Sequence, residues 1–247
     1  MTKIYKKSEL TFAILWIVAY VVLSSTADQL SEGIGIPKSA TAALHIIMTL
    51  ILFTWILKSG LSEKYGLCGS KIQAKRFLYY LPLIIIASTS LWNGISLRFG
   101  FLGTVCYVIS MCCVGFLEEV IFRGLLFRAM EKDNLKTAII VSALTFGLGH
   151  AVNLFNGSGR DLTATIIQII FAILAGFVLV LIFYHGRSLI PCIVFHSANN
   201  ALGAFEAEGN IDPTLEMVLN IGLIVLVLGG YLLYLVKVFP PKLNSKS

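Results

Sequence analysis

The sequence predicts an all-α, polytopic membrane protein with about eight transmembrane helices, N-terminus and C-terminus cytoplasmic. Three observations predict it. First, 57% of the 247 residues are hydrophobic and only 13% are charged, against about 25% charged in a typical soluble domain. A soluble fold exposes scattered apolar side chains, not whole apolar faces. Second, the apolar residues fall in runs of about twenty, the length a helix needs to cross hydrocarbon, whereas a transmembrane barrel alternates over segments of about ten. Third, basic residues crowd into alternate loops, the asymmetry that sets topology. A soluble globular enzyme, a disordered chain and a disulfide scaffold are excluded.

The candidate helices lie near 10–26, 40–58, 77–96, 101–128, 136–155, 162–184, 188–205 and 214–236. The first follows Lys3, Lys6 and Lys7, and Ser25-Thr26-Ala27 before Asp28 has the small residues of a signal-peptide cleavage site. It is read here as a retained helix. With the N-terminus inside, 15 of the 19 basic residues fall on the cytoplasmic side, Lys58, Lys64, Lys71, Lys75, Arg76, Arg128, Lys132, Arg187, Lys242 and Lys246 among them. The outer loops hold Lys38, Arg98 and Arg160, and Arg123 alone lies within a span. The stretch from Leu61 to Arg76 is either a membrane-surface segment or a solvated loop. The net charge of +6 therefore reports topology and membrane lipids as partners, not nucleic acid. Cys106, Cys112, Cys113 and Cys192 sit in apolar runs and read as small hydrophobes; Cys68 lies in a polar loop, and no pair has metal-finger spacing. No internal repeat or appended domain is visible. One membrane domain fills 1–247, with its motif-bearing core at about 100–205.

Charge inside a span is costly, at roughly 2.5–3.5 kcal/mol per Asp, Lys or Arg near a helix centre, and by default marks function. The fourth run contains Glu118, Glu119 and Arg123. Glu119 and Arg123 are four apart, share a face and can pair. Glu118 lies about 100° around the helix and lacks a partner in its own span, so it needs a donor from another helix. The fifth run ends in TFGLGH, with Phe146 and His150 one turn apart and Gly147 and Gly149 permitting close helix approach. The seventh holds His196 and Asn200, again one turn apart, with Asn199 beside them. At about 1.5 Å per residue, Glu118 lies roughly 15 Å deep, His196 roughly 12 Å and His150 roughly 21 Å. Side chains lean toward their helix N-terminus, which narrows the gap from Glu118 to His150 and widens that to His196.

A glutamate with a histidine can deprotonate water. A second histidine and an amide can donate to a developing oxyanion. Together these groups suit amide hydrolysis. Glu118, His150 and His196 are also possible zinc ligands, although neither HExxH nor GxSxG is present. Bland readings stand beside these. Glu119 with Arg123 can be a structural ion pair, and each histidine can be a core residue bonded to backbone. Phe146 reads as packing beside the site. His45 and His185 match no motif and read as structural.

Three motifs in order, EEVIFR (Glu118 to Arg123), FGLGH (Phe146 to His150) and HSANN (His196 to Asn200), resemble the EExxxR, FxxxH and HxxxN of the CPBP family of intramembrane proteases, also called the Abi or CAAX-protease family. The resemblance covers about 100–205. It implies an eight-helix fold and an intramembrane endopeptidase. By position, Glu118 and His150 look like the water-activating pair, and His196 and Asn200 like oxyanion donors. Glu119, Arg123 and Phe146 look like supporting residues. The resemblance leaves both a zinc mechanism and a metal-free glutamate mechanism open; Asn200 is an unusual zinc ligand, which favours the second. Substrates in such a family are membrane-associated peptides or proteins, prenylated CAAX tails in eukaryotes. Bacterial members are linked to peptide processing and bacteriocin immunity, and short loops suggest a bacterial plasma-membrane protein. The competing reading is a non-proteolytic immunity or scaffold protein acting on a membrane partner. A proton-coupled transporter needs broken helices in paired repeats, which the sequence lacks.

Overall fold

The computed structural model describes residues 1–72, 80–154, 162–207 and 212–238. Lys75, Arg76, Arg160, Lys242, Lys246, the first residues of the run expected at 77–96 and Phe155 at the end of the fifth run lie outside the described residues. What is described is helical, apart from turns and one isolated antiparallel bridge between Ile95 and Glu206.

A short helix α1 (Thr2–Lys7) leads into α2 (Glu9–Ile34). Ser8 caps α2 by accepting from the Thr11 amide, and Gly35 ends it in the left-handed conformation at φ 79°. The helix runs unbroken through Ser25–Asp28. Then follow α3 (Ser39–Lys58) and α4 (Leu81–Ser88), the latter extended by a 3₁₀ turn to Leu91. Next is one continuous 31-residue helix, Phe101–Glu131, in which α5 (Phe101–Glu118) passes through a π-helical stretch Glu119–Phe127 into α6 (Arg128–Glu131). After it come α7 (Leu135–Gly149), α8 (Leu162–Gly186), α9 (Ile190–Leu202), α10 (Pro213–Leu223) and α11 (Gly230–Val238).

Among the described residues six helices are long and apolar enough to cross a membrane, against the eight expected. The two that fall short are α4 and α9. Polar and helix-stopping residues explain both: Pro82 opens α4 and Ser88 to Ser90 close it, while Pro191 opens α9 and Gly203 follows it. At 1.5 Å per residue, a 13-residue α9 is about 20 Å long.

Both short helices nevertheless join opposite ends of the bundle. One end gathers Glu9, bonded to Lys64 at 2.6 Å and 3.8 Å from Lys132, and Glu131, 3.5 Å from Arg187. The segment 61–72 is docked there on the helices. Leu189 N donates to Gly66 O at 2.8 Å, Lys71 N donates to Gly186 O at 2.9 Å, and Tyr65 is buried against Trp55. The other end gathers Pro37 against Gly103, and pairs 94–98 with 204–207 through Ser96 N to Phe205 O and Arg98 N to Ala204 O, each 3.0 Å.

One apolar core draws residues from Phe12 to Leu235. Half of the α8 span is buried but only 22% of the α2 span, so α8 is central and α2 turns much of its apolar surface outward. All five cysteines are free; Cys192 is buried, whereas Cys112 is exposed, contrary to the expectation of a buried small hydrophobe.

Candidate active site

The glutamates sit where the fourth run changes helical register. Up to Glu118 the chain is α-helical, and from Glu119 to Phe127 it is π-helical. Such wide turns are rare and concentrate at functional sites. Ser142 of α7 adds a bond to this stretch, its Oγ donating to Phe122 O at 2.9 Å. All nine π-helical residues are buried, so the charges here face protein, not lipid.

The Glu119–Arg123 pair expected from the spacing forms, with Nη1 3.1 Å from Oε1 and both side chains fully buried. The guanidinium carbon lies 4.0 Å over the Phe146 ring, a cation–π contact strengthened by desolvation. His196 joins Glu119 from α9, Nδ1 to Oε1 at 2.8 Å. A carboxylate only accepts, so Nδ1 carries the hydrogen of this bond.

Glu118 finds a donor on another helix. Its Oε1 accepts from the Tyr20 hydroxyl at 2.6 Å, and its Oε2 lies 3.5 Å from His196 Nε2. The expected widening between Glu118 and His196 does not occur: His196 stands between the two glutamates. The cause is the α5–α9 crossing. A Cβ added at Gly115 would lie 2.6 Å from Ser197 N and 2.8 Å from its Cα, and Ser197 Oγ donates to Cys112 O at 3.1 Å. Backbone contact beside His196 outweighs the small lean of the side chains.

His150 is the first residue of the 3₁₀ turn that follows α7. Its Nδ1 lies 3.1 Å from Phe146 O. A carbonyl only accepts, so Nδ1 donates and the neutral ring keeps its lone pair on Nε2. Phe146 meets both histidines edge to face, with centroids 5.4 Å from His150 and 5.6 Å from His196. It therefore packs against three motif side chains, His150, His196 and Arg123. Asn200 is placed one turn beyond His196 on α9 and accepts from Asn199 Nδ2 at 3.3 Å. That leaves its own amide hydrogens for another acceptor.

Of the two motif glycines only Gly147 permits a close approach, a Cβ there falling 2.9 Å from Ile173 N, whereas Gly149 has open space around it. Sequence reasoning missed Tyr20 and Ser142. Their signals were present: Ser142, Phe146 and His150 repeat every four residues, as do Tyr20, Ser24 and Asp28 on α2. His45 lies outside the motifs, stacked on Tyr20 and bonded to Ser24 and Ser110.

Among the described residues no three His, Cys, Asp or Glu side chains converge as a metal-binding group, and the trio Glu118, His150 and His196 forms none. Residues 100–202 match the family model for type II CAAX prenyl endopeptidase, Rce1-like. No curated protein and no solved structure matches the chain. The match ends at the last residue of α9, and it is the family grouping that the three motifs resemble. The matched stretch, which carries both glutamates, Arg123, Phe146, both histidines and Asn200, is similar to the Rce1-like type II CAAX prenyl endopeptidase family.

Proposed function

We propose that the cluster is the active site of an intramembrane endopeptidase that cuts membrane-associated peptides or proteins by direct attack of activated water. The observation that carries this reading is the unequal treatment of two adjacent carboxylates. Glu119 is locked by a fully buried arginine and by His196. Glu118, partly buried, turns Oε2 toward His196 and, among the described residues, pairs with no arginine or lysine. A site built only for stability has no use for the second acid.

In the proposed reaction, Glu118 takes a proton from water, assisted by His150. The hydroxide attacks the scissile carbonyl. His196 Nε2 and Asn200 Nδ2 donate to the resulting oxyanion. Collapse breaks the C–N bond, and the proton held by Glu118 passes to the leaving amine. Donation from Nε2 while Nδ1 serves Glu119 requires the imidazolium form of His196. The mechanism proposed is metal-free, a reading supported by Asn200, an unusual zinc ligand.

The same proposal has both termini cytoplasmic, with α4 and α9 as two short crossings, and places the protein in a bacterial plasma membrane. The test uses purified protein in detergent with a farnesylated, internally quenched CAAX peptide and a panel of unprenylated membrane peptides. Glu118→Gln and His150→Ala are each expected to lower kcat by at least 10²-fold, the low end for a general base. Full cleavage by both variants sinks hydrolysis as the function. Inhibition by 1,10-phenanthroline, with stoichiometric zinc in the protein, overturns the metal-free mechanism alone.

A further inference from the structure

Tyr20 lies on α2, eighty residues before the segment that the family model matches. It is 8% exposed, and its hydroxyl donates to Glu118 Oε1 at 2.6 Å. This short bond is the closest polar contact that Glu118 makes among the described residues. Nothing in the three motifs accounts for it.

The ring has little freedom. It stacks on His45 with centroids 5.7 Å apart and planes 26° apart. His45 is itself fixed at both nitrogens, with Nε2 2.9 Å from Ser24 Oγ on α2 and Nδ1 3.0 Å from Ser110 Oγ on α5. Ser110 and Glu118 are eight residues apart on the same helix, so their side chains stand on neighbouring parts of one face. The support thus begins and ends on α5, passing through α3 and α2. A hydroxyl held this firmly fixes one carboxylate oxygen and leaves the other to face His196.

We infer that Tyr20 is a positioning residue for Glu118, holding its carboxylate so that Oε2 alone is presented to the reacting water. The inference rests on the reading of Glu118 as the base. A hydrogen bond to a charged group carries about 1.5–3 kcal/mol. Expressed as rate, that is about a ten- to hundredfold change. Phenylalanine keeps the stack on His45 and deletes only the donor. Position 20 is therefore expected to act on kcat rather than on binding.

The experiment compares wild type, Tyr20→Phe and Glu118→Gln in detergent, with the farnesylated quenched peptide as probe. Tyr20→Phe is expected to lower kcat ten- to hundredfold while leaving KM within twofold and the unfolding temperature within a few degrees. A purely structural tyrosine changes stability without this split. A second readout needs no turnover. The infrared carboxylate stretch of Glu118, identified as the band lost in Glu118→Gln, is expected to shift in Tyr20→Phe. It is expected to shift in the opposite sense when 3,5-difluorotyrosine at position 20, a more acidic phenol and so a stronger donor, strengthens the bond without removing the hydroxyl. That substitution also covers failure of the phenylalanine variant to fold. An unmoved band, or a Tyr20→Phe kcat within twofold of wild type, overturns the inference. If Glu118→Gln itself retains full activity, the proposed function falls instead.

Discussion

Arg123 shows how one residue can be both expensive and indispensable. A guanidinium fully buried in the protein must recover its lost hydration from neighbours. Here Glu119 supplies the counter-charge and Phe146 the π face. Arg123→Ala strands a buried carboxylate and is expected to destabilise by about 3–5 kcal/mol. Thermal unfolding in detergent measures this. The double variant Glu119→Gln with Arg123→Met should recover part of the loss, because neither charge is left unpaired. Equal destabilisation in the single and double variants would show that the pair does not act as a unit. Phe146→Leu keeps bulk but removes the π face, with an expected cost of about 1–2 kcal/mol in the same assay.

At the scale of elements, the active geometry depends on two close helix contacts and one irregular helix. Gly115 lets α9 seat His196 between the glutamates, and Gly147 lets α7 lie against α8. A methyl at either meets backbone, so relief requires helices to move. Gly115→Ala is expected to lower cleavage at least tenfold, since shifts of about 1 Å at a catalytic group have effects of this order. Gly149→Ala, with open space around it, should leave cleavage unchanged. The contrast is read by running both variants with one peptide; equal losses would contradict it. The π-helical stretch is tied by Ser142 to Phe122 O. Ser142→Ala deletes that buried bond, at an expected cost of about 0.5–1.5 kcal/mol, seen as a lower unfolding temperature.

The whole molecule raises the question of how two short helices join the ends of a membrane bundle. An α9 of about 20 Å is shorter than the roughly 30 Å hydrocarbon core. With α9 as one of the proposed short crossings, its length and the paired segments 94–98 and 204–207 beyond it would leave backbone below one membrane surface near His196 and Asn200, where water reaches the site without crossing a full leaflet of hydrocarbon. The proposed orientation is tested with single cysteines in a cysteine-free background. Ile95→Cys, at a position 73% exposed, should react with a membrane-impermeant maleimide in intact cells. Lys58→Cys should react only after the cells are opened. The reverse pattern places the N-terminus outside.

Much of this was written in composition and spacing. Hydrophobic runs fixed the class of fold because a helix must satisfy its own backbone in lipid. Scarcity of intramembrane charge singled out Glu118, Glu119 and Arg123, and the four-residue interval between the last two fixed their pairing. The ambiguous parts were those where local pattern competes with tertiary contact. Runs at 77–96 and 188–205 looked long enough to span, but proline, glycine and serine shorten the helices within them. Side-chain lean suggested that His196 stands apart from Glu118, and a glycine crossing one turn away reversed it.

The sequence by itself determined the helical membrane class, the three motifs and the local pairing of Glu119 with Arg123, because each depends on residues near one another in the chain. Only the tertiary structure decided that His196 lies between the glutamates and that a tyrosine 98 residues away reaches Glu118. Those contacts arise between helices, where register is set by which small side chains let backbones meet. No periodicity within a single helix encodes that choice.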